Sequence, residues 1–114
     1  FFMDNTVITE SEKQIAAFSK ALSHPTRVAI LNFLASLDSC YFGAIHDELS
    51  ISKATVSQHL TELKNAGLIQ GTIEYPKVKY CICKGNWKIA KKLFEDFFKQ
   101  ACTGTGKCKL SINV

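Results

Sequence analysis

No stretch of the 114 residues stays apolar long enough to cross a bilayer, and no basic segment followed by an apolar run and a small-residue cleavage site opens the chain. A soluble, cytoplasmic protein with no membrane partner is the expectation. Phe1 and Phe2 precede the only methionine, Met3, and are set aside as an expression remnant. Also lacking are a glycine-rich phosphate loop, a nucleophile with a neighbouring base and orienting acid, and an HExxH pair, so the chain is not expected to be an enzyme. Internal repeats and low-complexity blocks are absent as well. Acidic residues are the scarcer charge, 10 against 14 basic, and the resulting +4 is compatible with a polyanionic partner without demanding one. Five cysteines cannot all pair within one chain, and a protein that is not secreted keeps its thiols reduced. A disulfide framework is therefore the poorer reading, and reactive or metal-binding thiols the better one.

What is present is enough for one core: 46% of the side chains are apolar, and the length leaves no room for a second domain. From Ser11, Ile15, Phe18 and Leu22 recur at helical spacing. Pro25 suits a first helical position, so a second helix opens there with Ser23 or His24 as its cap. Val28, Ile30, Leu31, Phe33, Leu34 and Leu37 make that helix apolar around much of its circumference, as a central element should be. A short third helix is expected over Phe42 to Leu49. Ser52 is placed to cap a fourth, Lys53 to Ala66, closed by Gly67 in the left-handed conformation.

After Gly67 the period changes to that of strands. Leu68 to Glu74 and Lys77 to Cys83, separated by Tyr75-Pro76, predict a two-stranded hairpin. Asn86 is then expected to cap a last helix with Trp87, Ala90, Phe94, Phe97 and Ala101 in one stripe, widened by Leu93 and Phe98. The expected organisation is a disordered or expression-derived start (1–10), one domain (11–101) and a flexible cysteine-containing tail (102–114).

A helix pair joined by a tight polar turn, its second member packed on one side and polar on the other, is what reading a major groove requires. Gln58 can pair with an adenine edge, Lys53 with guanine or phosphate, and Thr55 and Ser57 with phosphate or the surroundings of a thymine methyl. His59, Thr61 and Lys64 complete the DNA-binding set on that helix. Lys77 and Lys79 near the hairpin tip would add phosphate contacts that raise affinity without reading sequence.

Three segments, Leu22-Ser23-His24-Pro25-Thr26-Arg27-Val28-Ala29-Ile30-Leu31, Ser52 to Leu60 and Leu63 to Ile69, resemble the ArsR/SmtB family of winged-helix repressors in order and spacing, over about Ile15 to Phe98. The resemblance implies a mainly α winged helix-turn-helix of about five helices plus two strands. It also implies a homodimer through the first and last helices, double-stranded DNA with an inverted-repeat operator as partner, and release when an inducer binds. The sequence supports the dimer independently, because Trp87, Leu93, Phe94, Phe97 and Phe98 are more apolar surface than one small core needs.

Members of such a family differ in what they sense, and here the cysteines decide the expectation. Cys102 and Cys108 flank a five-residue glycine-containing turn, with Lys99, Lys107 and Lys109 nearby to favour thiolates. Thiolates select soft ions, and the family's trivalent arsenic sits among two or three sulfurs, so As(III) or a similar thiophilic ion is the expected inducer, with no cofactor needed for DNA binding. Cys40 is the candidate third ligand. Arsenic-sensing relatives often carry a Cys-x-Cys pair at this point, but the companion position here is Phe42. Cys81 and Cys83 would lie about 7 Å apart on one strand face and read as structural. Trp87 to Gln100 has no histidine, which argues against the zinc site of other relatives. Two alternatives stand beside this one: a thiol-redox or persulfide-sensing repressor that closes a disulfide between Cys102 and Cys108, and a winged-helix protein–protein adaptor.

Overall fold

The computed structural model describes residues 7–74, 77–104 and 106. Helix α1 (Glu10–Ala21) begins in a capping box. The Thr9 hydroxyl accepts from the Glu12 amide at 3.2 Å, and the Glu12 carboxylate accepts from the Thr9 amide at 2.8 Å. Helix α2 (Pro25–Ala35) takes His24 as its cap, with Nδ1 accepting from the Thr26 amide at 3.1 Å, and places Pro25 where its missing N–H costs nothing. It stops at Ala35 rather than continuing to Leu37.

The third helix is shorter than its spacing predicts. Tyr41–Phe42 forms a strand, β1, and α3 covers only Ile45–Leu49. The backbone groups of Tyr41 and Phe42 are claimed by a partner strand some forty residues away, which no local pattern announces. Helix α4 (Lys53–Asn65) starts on Ser52, whose Oγ accepts from the Thr55 amide at 3.3 Å. Gly67 follows it with φ +80°, the left-handed conformation expected of a residue just past a helix.

Strands β2 (Ile69–Glu74) and β3 (Lys77–Ile82) pair antiparallel from Ile69↔Ile82 to Glu74↔Lys77. With β1 added beyond β3, the hairpin becomes a three-stranded sheet of order β1-β3-β2. The last helix, α5 (Lys84–Phe98), begins earlier than expected, with Cys83 at the cap position and no side-chain capping bond. Asn86 is therefore not the cap. Because Trp87 N already donates to Cys83 O at 2.8 Å, Asn86 lies inside the first turn, and its Nδ2 donates instead to the Gly67 carbonyl at 2.8 Å.

All the buried apolar side chains among the described residues lie between Ala21 and Ile69: Ala21, Ile30, Leu31, Leu34, Ile45, Val56, Leu60, Leu63, Leu68 and Ile69. Helix α5 contributes none of them. Its Trp87 and Ala90 pack against this core from outside, while Phe97 and Phe98 are 47% and 74% exposed. Between α1 and α5 runs an apolar cleft of about 240 Å³ lined by Phe18, Leu22, Leu68, Trp87, Ala90 and Phe94. Among the described residues no helix is long and apolar enough to cross a membrane.

Candidate nucleic-acid interface and cysteine positions

Helices α3 and α4 are joined by Ser50 to Ser52. Ser50 takes a left-handed conformation (φ 54°) and Ile51 N donates back to His46 O at 3.2 Å, which closes α3 and turns the chain. The Ser52 cap then starts α4 at once. Val56, His59, Leu60 and Leu63, at the i, i+3, i+4, i+7 positions of α4, are buried and fix its angle. Lys53, Thr55, Ser57, Gln58, Thr61 and Lys64 are all exposed.

The exposed residues are not equally free to reach outward. Thr61 Oγ1 donates to the Ser57 carbonyl at 3.1 Å, and Thr55 Oγ1 accepts from Ser52 Oγ at 2.7 Å. Lys53 and Ser57 share an open cleft of about 400 Å³ with His46 and with Lys77 on the hairpin, so the structure brings helix and wing lysines to one concavity. Lys79 is differently placed. Its Nζ pairs with Glu74 at 2.8 Å and lies 6.0 Å from the centre of the Phe42 ring, so much of its charge is already answered within the protein.

His59 is the exception in the expected DNA-binding set. It is 8% exposed and faces inward, so it is not a reading residue in this fold. Arg27 Nε donates to His59 Nδ1 at 3.1 Å, and the His24 ring centre lies 4.3 Å from that of His59. The same guanidinium donates through one terminal nitrogen to Lys20 O at 3.1 Å and Ala21 O at 3.4 Å. Arg27 thus ties the end of α1 and the body of α4 to α2. Burial holds His59 below the ordinary histidine range, and the nearby His24 and Arg27 push the same way, against a smaller pull from Glu62. Arg27 stands inside the His24-Pro25-Thr26-Arg27 segment, but spacing alone does not announce its clamping role. A buried histidine on the packed face of a predicted helix, needing a donor, was the available signal.

The cysteines divide into described and undescribed. Cys102 is an exposed free thiol, its Sγ 3.8 Å from Gln100 O; Cys108 lies outside the described residues. Lys99, expected to favour the tail thiolates, bonds Asp96 at 3.3 Å instead. Asp96 also accepts from Lys92 at 3.0 Å, and these bonds, that of Lys92 foremost, hold its carboxyl below the usual range. Cys40, the candidate third ligand, is disulfide-bonded to Cys81. A sulfur in that bond is no thiolate, so in this state Cys40 has nothing to lend the tail, and two of the thiols expected to stay reduced are paired. Cys83 remains a half-buried free thiol. Among the described residues no three His, Cys, Asp or Glu side chains gather into a metal-binding group.

The profile of the family described as "Bacterial regulatory protein, arsR family" matches residues 24–70. The chain is 38% identical over 85 residues to the HTH-type transcriptional regulator CmtR of Mycobacterium bovis, covering 74% of this chain and 69% of that one. It is 38% identical over 87 residues to the uncharacterized HTH-type transcriptional regulator MJ1325 of Methanocaldococcus jannaschii, covering 76% of this chain and 98% of that one. Both relatives are named as regulators of transcription rather than as enzymes. Among solved structures, reduced HlyU from Vibrio cholerae superposes with a TM-score of 0.62 at 26% identity, over 80% of this chain and 95% of that one.

Proposed function

Because the chain belongs to the ArsR family of winged-helix transcriptional regulators, we propose that it works as a homodimeric repressor, with α4 in the major groove of an inverted-repeat operator and the β2–β3 hairpin as a flanking wing. The observation that carries this reading is the division of α4. Val56, His59, Leu60 and Leu63 lock one side into the core, and Lys53, Ser57, Gln58, Thr61 and Lys64 are left in solvent on the other. A helix fixed in angle and polar outward supplies donors and acceptors at set positions, which base reading requires. The exposed Phe97 and Phe98 at the end of α5 are the surface a twin subunit would cover. Two-fold symmetry would then set the two reading helices about 34 Å apart, one turn of duplex.

The test is selection of bound sequences from a randomised duplex library, followed by titration of the selected site. A palindromic consensus is expected. Gln58→Ala should weaken binding by about five- to a hundredfold through loss of a bidentate base contact, with an unchanged unfolding curve. Equal affinity of that variant for the selected site, or selection of no duplex at all, would refute the reading, and the second result would favour an adaptor.

The proposed inducer is trivalent arsenic or a similar thiophilic ion held at Cys102 and Cys108. What supports it is an exposed free thiol, Cys102, four residues past the last helix, and the preference of thiolates for soft ions. Cys40 is left out of the ligand set on account of its bond to Cys81. Arsenite added to the protein–DNA complex should release DNA, and Cys102→Ser with Cys108→Ser should bind DNA normally but not respond. Normal release by that double variant would remove this site.

A further inference from the structure

Cys40 and Cys81 meet because of sheet topology. The β1–β3 ladder pairs Tyr41 with Tyr80 and Phe42 with Lys79, so one step outward on the same ladder Cys40 stands opposite Cys81, with Cα atoms 4.5 Å apart. That is the spacing of a non-hydrogen-bonded antiparallel pair, where facing side chains come closest. Both cysteines are half-buried and line an open cleft of about 260 Å³ together with Asp38, Lys84 and Trp87. The cleft is open to solvent beside both cysteines, so a small molecule can approach the pair.

The pair joins two parts of the proposed reader. Cys81 lies on the strand that carries Lys77 and Lys79, and Cys40 immediately precedes β1, from which the chain enters α3. Strand β1 is only two residues long, so its own ladder holds it weakly. The sulfur–sulfur bond is the one covalent cross-link, beyond the backbone itself, between the wing and the start of the helix-turn-helix among the described residues.

We propose that Cys40 and Cys81 form a thiol–disulfide exchange site for low-molecular-weight disulfides, whose closure clasps the wing to the helix-turn-helix. In the closing reaction one thiolate of the pair attacks a sulfur of RSSR, forming a mixed disulfide and expelling RS⁻. The second thiolate then attacks the protein sulfur of that mixed disulfide, forming the Cys40–Cys81 bond and expelling the other RS⁻. The two protein thiols lose two electrons and two protons, and the reagent leaves as two RSH. Excess small thiol drives the same steps backwards and opens the clasp.

The clasp bears on gene regulation only through the function proposed above, but its chemistry is measurable without DNA. Fully reduced protein is incubated with oxidised glutathione, alkylated and mapped by mass spectrometry. A Cys40–Cys81 cross-linked peptide is expected, with Cys83 alkylated, and Cys83→Ser should close equally well. Amide exchange at Tyr41, Phe42 and Lys77 to Ile82 should be about tenfold faster in the reduced protein. The variant Cys40→Ser with Cys81→Ser should exchange at that faster rate whether or not oxidised glutathione is present. Alkylation of both Cys40 and Cys81 after the incubation, pairing of either with another cysteine, or exchange rates indifferent to the bond would each overturn the proposal. A chain that closes the clasp yet binds no duplex would leave it standing and remove the repressor reading instead.

Discussion

Replacing Arg27 by methionine keeps an unbranched stem of similar length and deletes every donor that clamps α1 and α4 to α2. Two of the lost hydrogen bonds are well formed, to His59 Nδ1 and Lys20 O, each at 3.1 Å; the third, to Ala21 O at 3.4 Å, is long and counts for less. The contact to Lys20 is exposed, so water can replace it at little cost. His59 cannot be rescued in that way, because it is buried and its Nδ1 loses its donor. A buried acceptor left unmatched costs about 1–3 kcal/mol, and an ordinary hydrogen bond adds about 0.5–1.5. Since the terms overlap, Arg27→Met is expected to cost about 2–3 kcal/mol. Urea unfolding should show a lower midpoint at unchanged slope, and the thermal midpoint should fall by about 10 °C or more, at several degrees per kcal/mol for a domain of this size. A loss below about 0.5 kcal/mol, the range of ordinary surface substitutions, would refute the clamp.

Three further outcomes are expected. His59 is held below the ordinary histidine value near 6.5, so both folded and unfolded chains are neutral there above that pH and its contribution is complete; as pH falls below about 6.5 only the unfolded chain gains the proton, and stability drops until the depressed native value is passed. Thermal midpoints from pH 8 to 5 should follow that course in the wild type and show a shallower slope in His59→Gln; parallel curves would contradict it. Gly67→Ala should cost about 1–2 kcal/mol for the left-handed backbone alone, and more because a Cβ would sit 2.8 Å from Asn86 Nδ2; a neutral result in chemical denaturation would show that the turn can relax. Lys53→Ala and Lys77→Ala should each reduce the slope of log affinity against log salt by about 0.9, whereas Lys79→Ala, already paired with Glu74, should change it less.

The helices were legible where the signal is local. Ser52 ahead of the Val56, Leu60, Leu63 spacing marks α4 within a residue of its end, and Pro25 marks the first turn of α2. Long-range pairings were not legible. Phe42 reads as the opening of a short helix until β3 supplies a hydrogen-bonding partner, and Cys40 reads as a lone thiol until that same strand brings Cys81 opposite. Asn86 has the side chain of a cap, but α5 winds from Lys84 and turns its amide toward Gly67. On α4 the polar face was predictable residue by residue except at His59, where chemical type suggested a reader and position on the apolar stripe put it inside. Of the tail pair, Cys102 is exposed and free, and Cys108 lies outside the described residues.

Among the described residues, every buried side chain belongs to the continuous stretch Ala21 to Ile69, and the longest helix, α5, adds none. Most of the packing that sets the angle of α4 is thereby drawn from one uninterrupted length of chain, with Trp87, Ala90 and the Asn86–Gly67 bond joining the C-terminal layer to it from outside. Changes at that outer layer, by substitution or by chemistry at nearby thiols, can accumulate without eroding the scaffold beneath. The outer layer can thus diverge while the angle of α4 is kept.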